Sequence, residues 1–505
     1  MPLDLPPPPE PSPRPLVEIR QGAATHILHF QRYRIHVYGD LTLPADTLHQ
    51  AISKADTVSN AVRRIGLAFR AQHEPLPAVH YALVGTDLHV HVSAGRVSGT
   101  AVPDPLAPYF KDLPSDRPLR DSDLEPARAL ASVHADRAGL NAASQFGESG
   151  DGYTFGVQVI DEAEDRARLQ FALGNPGNRF VGRHFAELDI TKGTDEGDEF
   201  RVFWRQAVKD LNQAGRPGRD YAEQHGAWSR VTPWGIFGAG ARYVRFDQRF
   251  SGVEFDASLF QGELTWSTVA YADFKQRVSV QLKLDRTLKE TEVSADGTDV
   301  QREPYDSVEA VAAWARSGHW LSQQRFDLET GLSVRHGIND FSSPVTQAEL
   351  DYLLYRPNLR VASTLGGQWR VQWQANAQIT DNRLPEQQQW VLGGVGNLHA
   401  WLPGVAVGDS GWLTRLELRS PDWSSGDGRL RLRAFAEAGS SRTENRGSSA
   451  PEIRLADAGL ALDWHYQDWA DVQLAAALPI SESGIDQATL DELEADFYFR
   501  VALRY

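Results

Sequence analysis

The run AVHYALVGTDLHVHVSAG sets His89 and His91 two residues apart, with His80 close by. On a strand that spacing puts both imidazoles on one face, the beginning of a zinc site. The plainer reading is a solvated strand face, and it is the one preferred. GIFGAGAR (235–242) has the look of a dinucleotide loop but lacks the third glycine and a following helix. No Gly-x-Ser-x-Gly and no zincin motif occurs. Cysteine is absent, which excludes thiol nucleophiles, Cys-ligated zinc and disulfides. No enzyme, no catalytic residue, no metal and no cofactor is therefore expected. What remains is conformational chemistry. Gly393, Gly394 and Gly396 form GGVG, and Leu398, His399, Ala400 and Trp401 follow directly. Glycines permit a tight backbone turn, here leading to an aromatic tip between two alternating segments.

The elements around these residues fall into three characters. The 505 residues carry a net charge of −16, which argues against wrapping nucleic acid. Mean hydropathy is −0.42 and no run approaches 18 apolar residues, so a transmembrane helix is excluded. A transmembrane barrel is not, because alternating strands average out to polar. Residues 1–20, with PPPP at their centre, have neither the basic region nor the apolar core of a signal peptide and read as a polyproline tether. Residues 21–103 read as an α/β module: the strand RYRIHVYG, two helices with apolar spacing of three and four, then two strands joined at Gly85 and Thr86. Residues 104–165 read as a second module. Its helix is expected to start at LRDSDLEPARALASV, capped by Asp121 or Ser122 with Pro126 in the first turn, and its last strand is GYTFGVQVID.

From Arg166 onward long segments alternate and no helix of any length is expected. In GQWRVQWQANAQI, Trp369, Val371, Trp373, Ala375, Ala377 and Ile379 share one face, and Gln368, Arg370, Gln372, Gln374, Asn376 and Gln378 the other. LFQGELTWSTVA, VSVQLKLD and the terminal FYFRVALRY repeat the pattern. The polar face carries charges and amides along its whole length, and the apolar face carries Trp, Tyr and Phe near its ends. That is the pattern of a transmembrane β-barrel with a polar lumen. At roughly 20 residues per strand and loop, residues 166–505 make about 16 antiparallel strands. A polar loop is expected at SRTENRGSSAPE (441–452).

With that architecture the chain resembles the two-partner secretion transporters, TpsB type, of the POTRA–barrel superfamily. DLHVHVSAGRV resembles the closing strand of a first POTRA domain, LRDSDLEPA the helix opening of a second, and NPGNRFVGRHFAELDI (175–190) the first barrel strand region. RLPEQQQWVLGGVGNLHAW matches the frame of the family's inward-folded loop, placed here at about 393–411. Leu398 and Trp401 stand at the family's Val and aromatic positions, while His399 replaces its arginine and Ala400 its glycine. FAEAG (435–439) matches the family's Phe-x-acidic-x-Gly strand motif. The resemblance implies that the tip residue anchors to Glu437, and alternation puts Phe435, Glu437 and Gly439 toward the lumen. A His399–Glu437 contact is expected, with Trp401 packed beside it. Histidine offers one good bond where arginine offers a fork of donors, and His399→Arg is expected to preserve or tighten the lock.

The function implied is export across a Gram-negative outer membrane. A secreted partner protein, unfolded in the periplasm, would bind the POTRA domains and thread the lumen without ATP. Outer-membrane lipid is the other expected partner, and a monomer is the expected state. An outer-membrane insertase is the alternative. A passive solute channel is the third reading, opposed by the POTRA-like modules.

Overall fold

A computed structural model describes residues 6–72, 74–150, 152–162, 166–178, 182–208, 221–250, 253–295, 297–319, 324–339, 348–444 and 452–505. The first α/β unit is a five-stranded sheet with two longer helices, Ala45–Ser53 and Val58–Ala71, and a single helical turn, Leu16–Ile19. Thr57 caps the second helix by accepting the Asn60 N–H at 3.2 Å. Ala61, Val62, Ile65, Ala68 and Phe69 then fall on one stripe that is buried against the sheet. The sheet contains the strands Tyr33–Tyr38, Pro77–Val84 and Asp87–Ala94, together with His26–Phe30 on one edge and a two-residue strand, Ser12–Pro13, on the other. Neither edge strand was read from sequence. The first is a short hairpin partner, and the second is too brief to alternate.

The second unit packs the helix Asp121–Arg137 and a short turn, Ala107–Phe110, on a three-stranded sheet of Val97–Ala101, Gly152–Glu162 and Leu140–Ser149. The helix start differs from the sequence reading. Arg120 is the N-cap residue, and the Asp123 carboxylate reaches back to the Arg120 N–H at 3.3 Å. Neither Asp121 nor Ser122 holds the capping position. Pro126 lies inside the helix rather than in its first turn.

Sixteen antiparallel strands close a barrel, running from Ala167–Gly174 to Tyr498–Arg504. The twelfth is interrupted at Ser420–Asp422 and resumes at Trp423–Ser425. Closure comes from the last strand pairing with the first, Arg500 opposite Gly174 through Arg504 opposite Gln170. Of the stretch 175–190, read as the first barrel strand region, residues 185–190 lie in the second strand, Phe185–Gly193, and residues 179–181 lie outside the described residues. GIFGAGAR lies within the strand Gly235–Phe250, not a loop. Trp373 pairs with Leu416, both exposed on the outside, while Gln374 pairs with Arg415 on the inside. Among the described residues, one α-helix interrupts the all-strand pattern: Gln487–Leu493, between the last two strands, capped by Asp486. Alternation counts do not find it because it spans only two turns. Of the polar loop 441–452, residues 445–451 lie outside the described residues.

The second unit is joined to the near rim of the barrel. Arg137 donates to the Gly197 carbonyl at 3.0 Å and to Ser229 Oγ at 2.8 Å. His134 Nε2 is 2.8 Å from the Asp195 carbonyl, and the Tyr109 hydroxyl lies 2.8 Å from His134 Nδ1. The loops that enter the lumen leave from the opposite rim.

Candidate functional site: a loop plugged into the lumen

The eleventh strand, Arg370–Gln378, and the twelfth, starting at Ser410, are joined by a loop that folds back into the barrel. Its stem is a small hairpin, Trp390–Leu392 antiparallel to Ala406–Gly408. The stem is fastened on both sides. Asp409 is fully buried and accepts the N–H groups of Leu384 and Glu444, each at 2.8 Å. Gln378 Nε2 donates to the carbonyls of Gln388 and Asp409 at 2.8 Å. Lys289 pairs with Glu386 from a strand four places away around the wall.

Above the stem the backbone turns on glycine. Gly393 has φ +94°, and a Cβ there would fall 2.2 Å from the Leu402 carbonyl oxygen. Gly394, at φ +102°, would meet the Pro403 ring at 2.8 Å. Any other residue would force the tip open. Leu398 also has positive φ, +60°, with a side chain that is fully buried. A non-glycine residue in that region is held only where its surroundings over-determine it.

The tip meets the wall at Glu437. The His399 N–H donates to Glu437 Oε2 at 3.0 Å, and His399 Nδ1 lies 2.8 Å from the same oxygen. His399 Nε2 accepts the Gly396 N–H at 3.1 Å. An amide can only donate, so Nε2 carries no proton and Nδ1 carries it: the ring is the neutral Nδ1–H tautomer. The other carboxylate oxygen takes Arg415 Nη1 at 2.5 Å. Arg415 in turn pairs with Glu417 and lies over the Phe435 ring, 4.5 Å from its centre. Phe435 also stacks at a tilt on His399, centroids 4.5 Å apart. The Ala400 N–H donates to Asp457 Oδ2 at 2.7 Å. Asp457 stands opposite Glu437 on the next strand. Gly439 faces Leu413 across the strands, where a Cβ would press on the Leu392 side chain at 3.1 Å.

Trp401 is 1% exposed, packed in a cluster with Leu392, Leu398, Leu413, Leu490 and Leu493. Its carbonyl accepts the Tyr498 hydroxyl at 2.7 Å. The loop carrying the helix Gln487–Leu493 also grips the tip: the Leu402 N–H donates to Leu493 at 2.7 Å, and the Ala495 N–H to Ala400 at 2.8 Å. The structure thus brings Leu398, His399, Ala400, Trp401, Phe435, Glu437 and Gly439 together. Sequence reasoning missed Arg415, Asp457, Tyr498 and the Leu493–Ala495 turn. Arg415 and Asp457 both occupy lumen-side positions of alternating strands. That is the signal that could have found them, though not their register against Glu437. Beside the tip lies a cavity of about 730 Å³ lined by paired charges, Arg433 with Asp463 and Arg205 with Glu187 among them.

The histidines of the first unit are not gathered for a metal. His89 contacts the Tyr38 hydroxyl at 3.0 Å and stacks on His36, while His80 bonds Ser12 Oγ at 2.8 Å. No cluster of three metal-ligating side chains occurs among the described residues.

The barrel and both α/β units recur in solved structures. CdiB from Escherichia coli aligns with a TM-score of 0.69 at 13% identity, over 93% of this chain and 90% of that one. CdiB from Acinetobacter baumannii aligns at 0.63 and 12% identity, over 97% and 95%. BamA from Haemophilus ducreyi, lacking POTRA domains 1–3, aligns at 0.51 and 13%, over 93% and 99%. At these identities the likeness is one of fold. No curated protein matches in sequence. Residues 233–464, which hold the plug loop, Arg415, Glu437 and Asp457, match the family of haemolysin secretion/activation proteins ShlB/FhaC/HecB. The chain thus resembles that family over residues 233–464, within a barrel fold shared along nearly its whole length with CdiB.

Proposed function

We propose that this chain is an outer-membrane transporter that exports one partner polypeptide in extended form, and that the loop between Gln378 and Ser410 is the gate it must displace. The two α/β units act as POTRA domains, residues 21–103 and 104–165, and receive the partner in the periplasm. The observation that supports the gate is the seating of the His399–Ala400 tip on Glu437 and Asp457 inside the lumen. A neutral hydrogen bond contributes about 0.5–1.5 kcal/mol and one to a charged group about 1.5–3 kcal/mol. A handful of such bonds holds a plug that a threading chain can still release. The charge-paired lumen gives a moving chain weak contacts and no apolar trap. Folding outside the cell withdraws the emerged partner from the equilibrium, so no nucleotide is required. The transporter works as a monomer around its own lumen. Assembly of other membrane proteins is the alternative, and the match of residues 233–464 to haemolysin secretion/activation proteins favours secretion.

Glu437→Ala tests the gate. It leaves the buried Arg415 without its Glu437 partner, and breaking a buried pair costs about 3–5 kcal/mol. The expected result is a higher conductance in planar bilayers and reduced secretion, with the barrel still shifting in mobility on heating. A variant that secretes normally and stays closed would remove Glu437 from the gate.

A further inference from the structure

The cavity beside the plug tip is not evenly charged. Among the described residues that line it, seven are arginines and four are aspartates or glutamates. The chain as a whole carries −16, so this excess of cations is local to the lumen. Each of the seven pairs with an acid, and the pairs are layered. In the Arg419–Glu417 pair the arginine side chain is 27% exposed and the carboxylate 3%. Arg500 is 35% exposed against 14% for Glu187, and Arg201 48% against 22% for Asp189. The Glu437 side chain is fully buried behind Arg415. Asp422, the partner of Arg431, is not among the lining residues. The cause is reach: an arginine stem is longer than that of the acid beside it, so the guanidinium ends nearer the centre of the bore. A chain in the lumen therefore meets guanidiniums first.

The guanidiniums also keep donors to spare. Arg201 binds Asp189 through Nε and Nη2, and Arg431 binds Asp422 through the same edge. Among the described residues, Arg500 gives Nη2 alone, to Glu187 at 3.3 Å. Arginine has five N–H donors, so each of these heads has N–H groups left for a passing acceptor. Arg431 and Arg500 share one row of the wall: Arg431 stands opposite Asp463, Asp463 opposite Gln473, and Gln473 opposite Arg500.

We propose that this belt makes the lumen an anion-attracting passage, and that the exported polypeptide it suits carries stretches of Asp or Glu. The low-dielectric wall focuses the field of the belt along the bore. Bonds from a guanidinium to a carboxylate are charge-assisted, yet each head already has an acid beside it, so a passing carboxylate exchanges instead of lodging. The choice of polypeptide rests on the export reading. The attraction of anions needs only an open lumen.

The test is the ion selectivity of the full chain in planar bilayers, read from its own openings under a KCl gradient. Tyr498→Phe, which changes no charge, gives a second source of openings. The reversal potential is expected to shift toward the chloride equilibrium potential, with chloride favoured over potassium by about fivefold. Arg201→Gln, Arg431→Gln and Arg500→Gln together should remove that preference; their bonds go to Asp189, Asp422 and Glu187, not to the plug. A peptide of alternating Glu and Ser should block the parent channel about tenfold more often than one of alternating Lys and Ser, and the triple variant should lose the difference. A reversal potential at zero or toward potassium overturns the proposal whether or not the triple variant folds. So does a folded triple variant with the parent's selectivity. Equal block by the two peptides overturns the choice of polypeptide. A chloride-selective channel whose conductance and secretion ignore Glu437→Ala keeps the belt and loses the gate. A channel gated as expected but without preference for chloride keeps the gate and loses the belt.

Discussion

Arg415 puts its guanidinium 2.5 Å from Glu437 Oε1, on the side of the carboxylate that His399 leaves free. The relation changes what the histidine means. The family resemblance implies an arginine on the tip and an acid on the wall. Here the wall supplies a guanidinium, and the tip supplies a neutral ring and a backbone N–H. His399 Nδ1 is already 3.5 Å from Arg415 Nη1, so a second cation on the tip would share one carboxylate with the first.

Restoring the family residue alone is therefore expected to weaken the plug, contrary to what the sequence suggests. His399→Arg should raise the open fraction in planar bilayers, and adding Arg415→Gln should bring it back toward the parent. The site is closely packed, and the larger side chain adds about 1–3 kcal/mol of overpacking. If His399→Arg closes the channel more firmly and Arg415→Gln has no influence on it, the wall arginine is not the counterpart of the tip.

How much of this site could be read in advance follows from how each residue is held. Glu437 and Phe435 were legible because alternation assigns a strand face without any knowledge of neighbours. Sixteen strands were legible for the same reason, from length and period. Arg415 lies opposite Glu437 only through the pairing register of two strands, one of them interrupted at Ser420–Asp422. A one-residue slip reverses every face. Asp457 needs a third strand in register. The Leu493 and Ala495 contacts are main-chain bonds between two loops, to which no side-chain pattern points. The cover strand Ser12–Pro13 was invisible because proline-rich sequence signals extension, not the surface it lies on.

Tyr498 gives a graded test of the second loop's grip. Tyr498→Phe removes one buried hydroxyl that donates to the Trp401 carbonyl at 2.7 Å and leaves the ring in place. The loss is about 1 kcal/mol, so the open fraction should rise about fivefold, well short of Glu437→Ala. An effect as large as that of Glu437→Ala would mean the hydroxyl holds more than the tip.

The joint between the second unit and the barrel is expected to depend on pH through His134. Burial is the main reason that its imidazole lies below the usual histidine range, with Arg137 and Arg230 adding to it. The Asp195 carbonyl and the Asp198 carboxylate oppose the shift without cancelling it. A value lowered on folding means the joint holds the neutral ring. Its contribution is whole above the unfolded value of about 6.5 and is lost as the pH falls through the lower, folded value. Spin-label distances between a cysteine at Ala129 and one on the barrel should broaden reversibly between pH 7.5 and pH 5. His134→Gln should abolish the dependence, and the same broadening in that variant would assign it to another group.

Neighbouring positions of the eleventh strand test the register of the whole wall. Trp373 is 42% exposed on the outside and pairs with Leu416, whereas Gln374 lines the cavity beside the plug. On the sixth and seventh strands, Trp266 pairs with Leu282, and Val280 with Thr268, on the outer face, while Glu263 makes an ion pair with Lys283 inside. The chain has no native thiol, so single cysteines report without background. In intact membranes a water-soluble maleimide should modify Gln374→Cys and Glu263→Cys, and a lipid-soluble reagent should modify Trp373→Cys, Trp266→Cys and Val280→Cys. Because faces alternate, a slip of one residue would exchange the two sets entirely. Aqueous labelling at position 373 without labelling at 374 would therefore refute the pairing of the eleventh strand with the twelfth, and with it the alignment that sets Arg415 against Glu437.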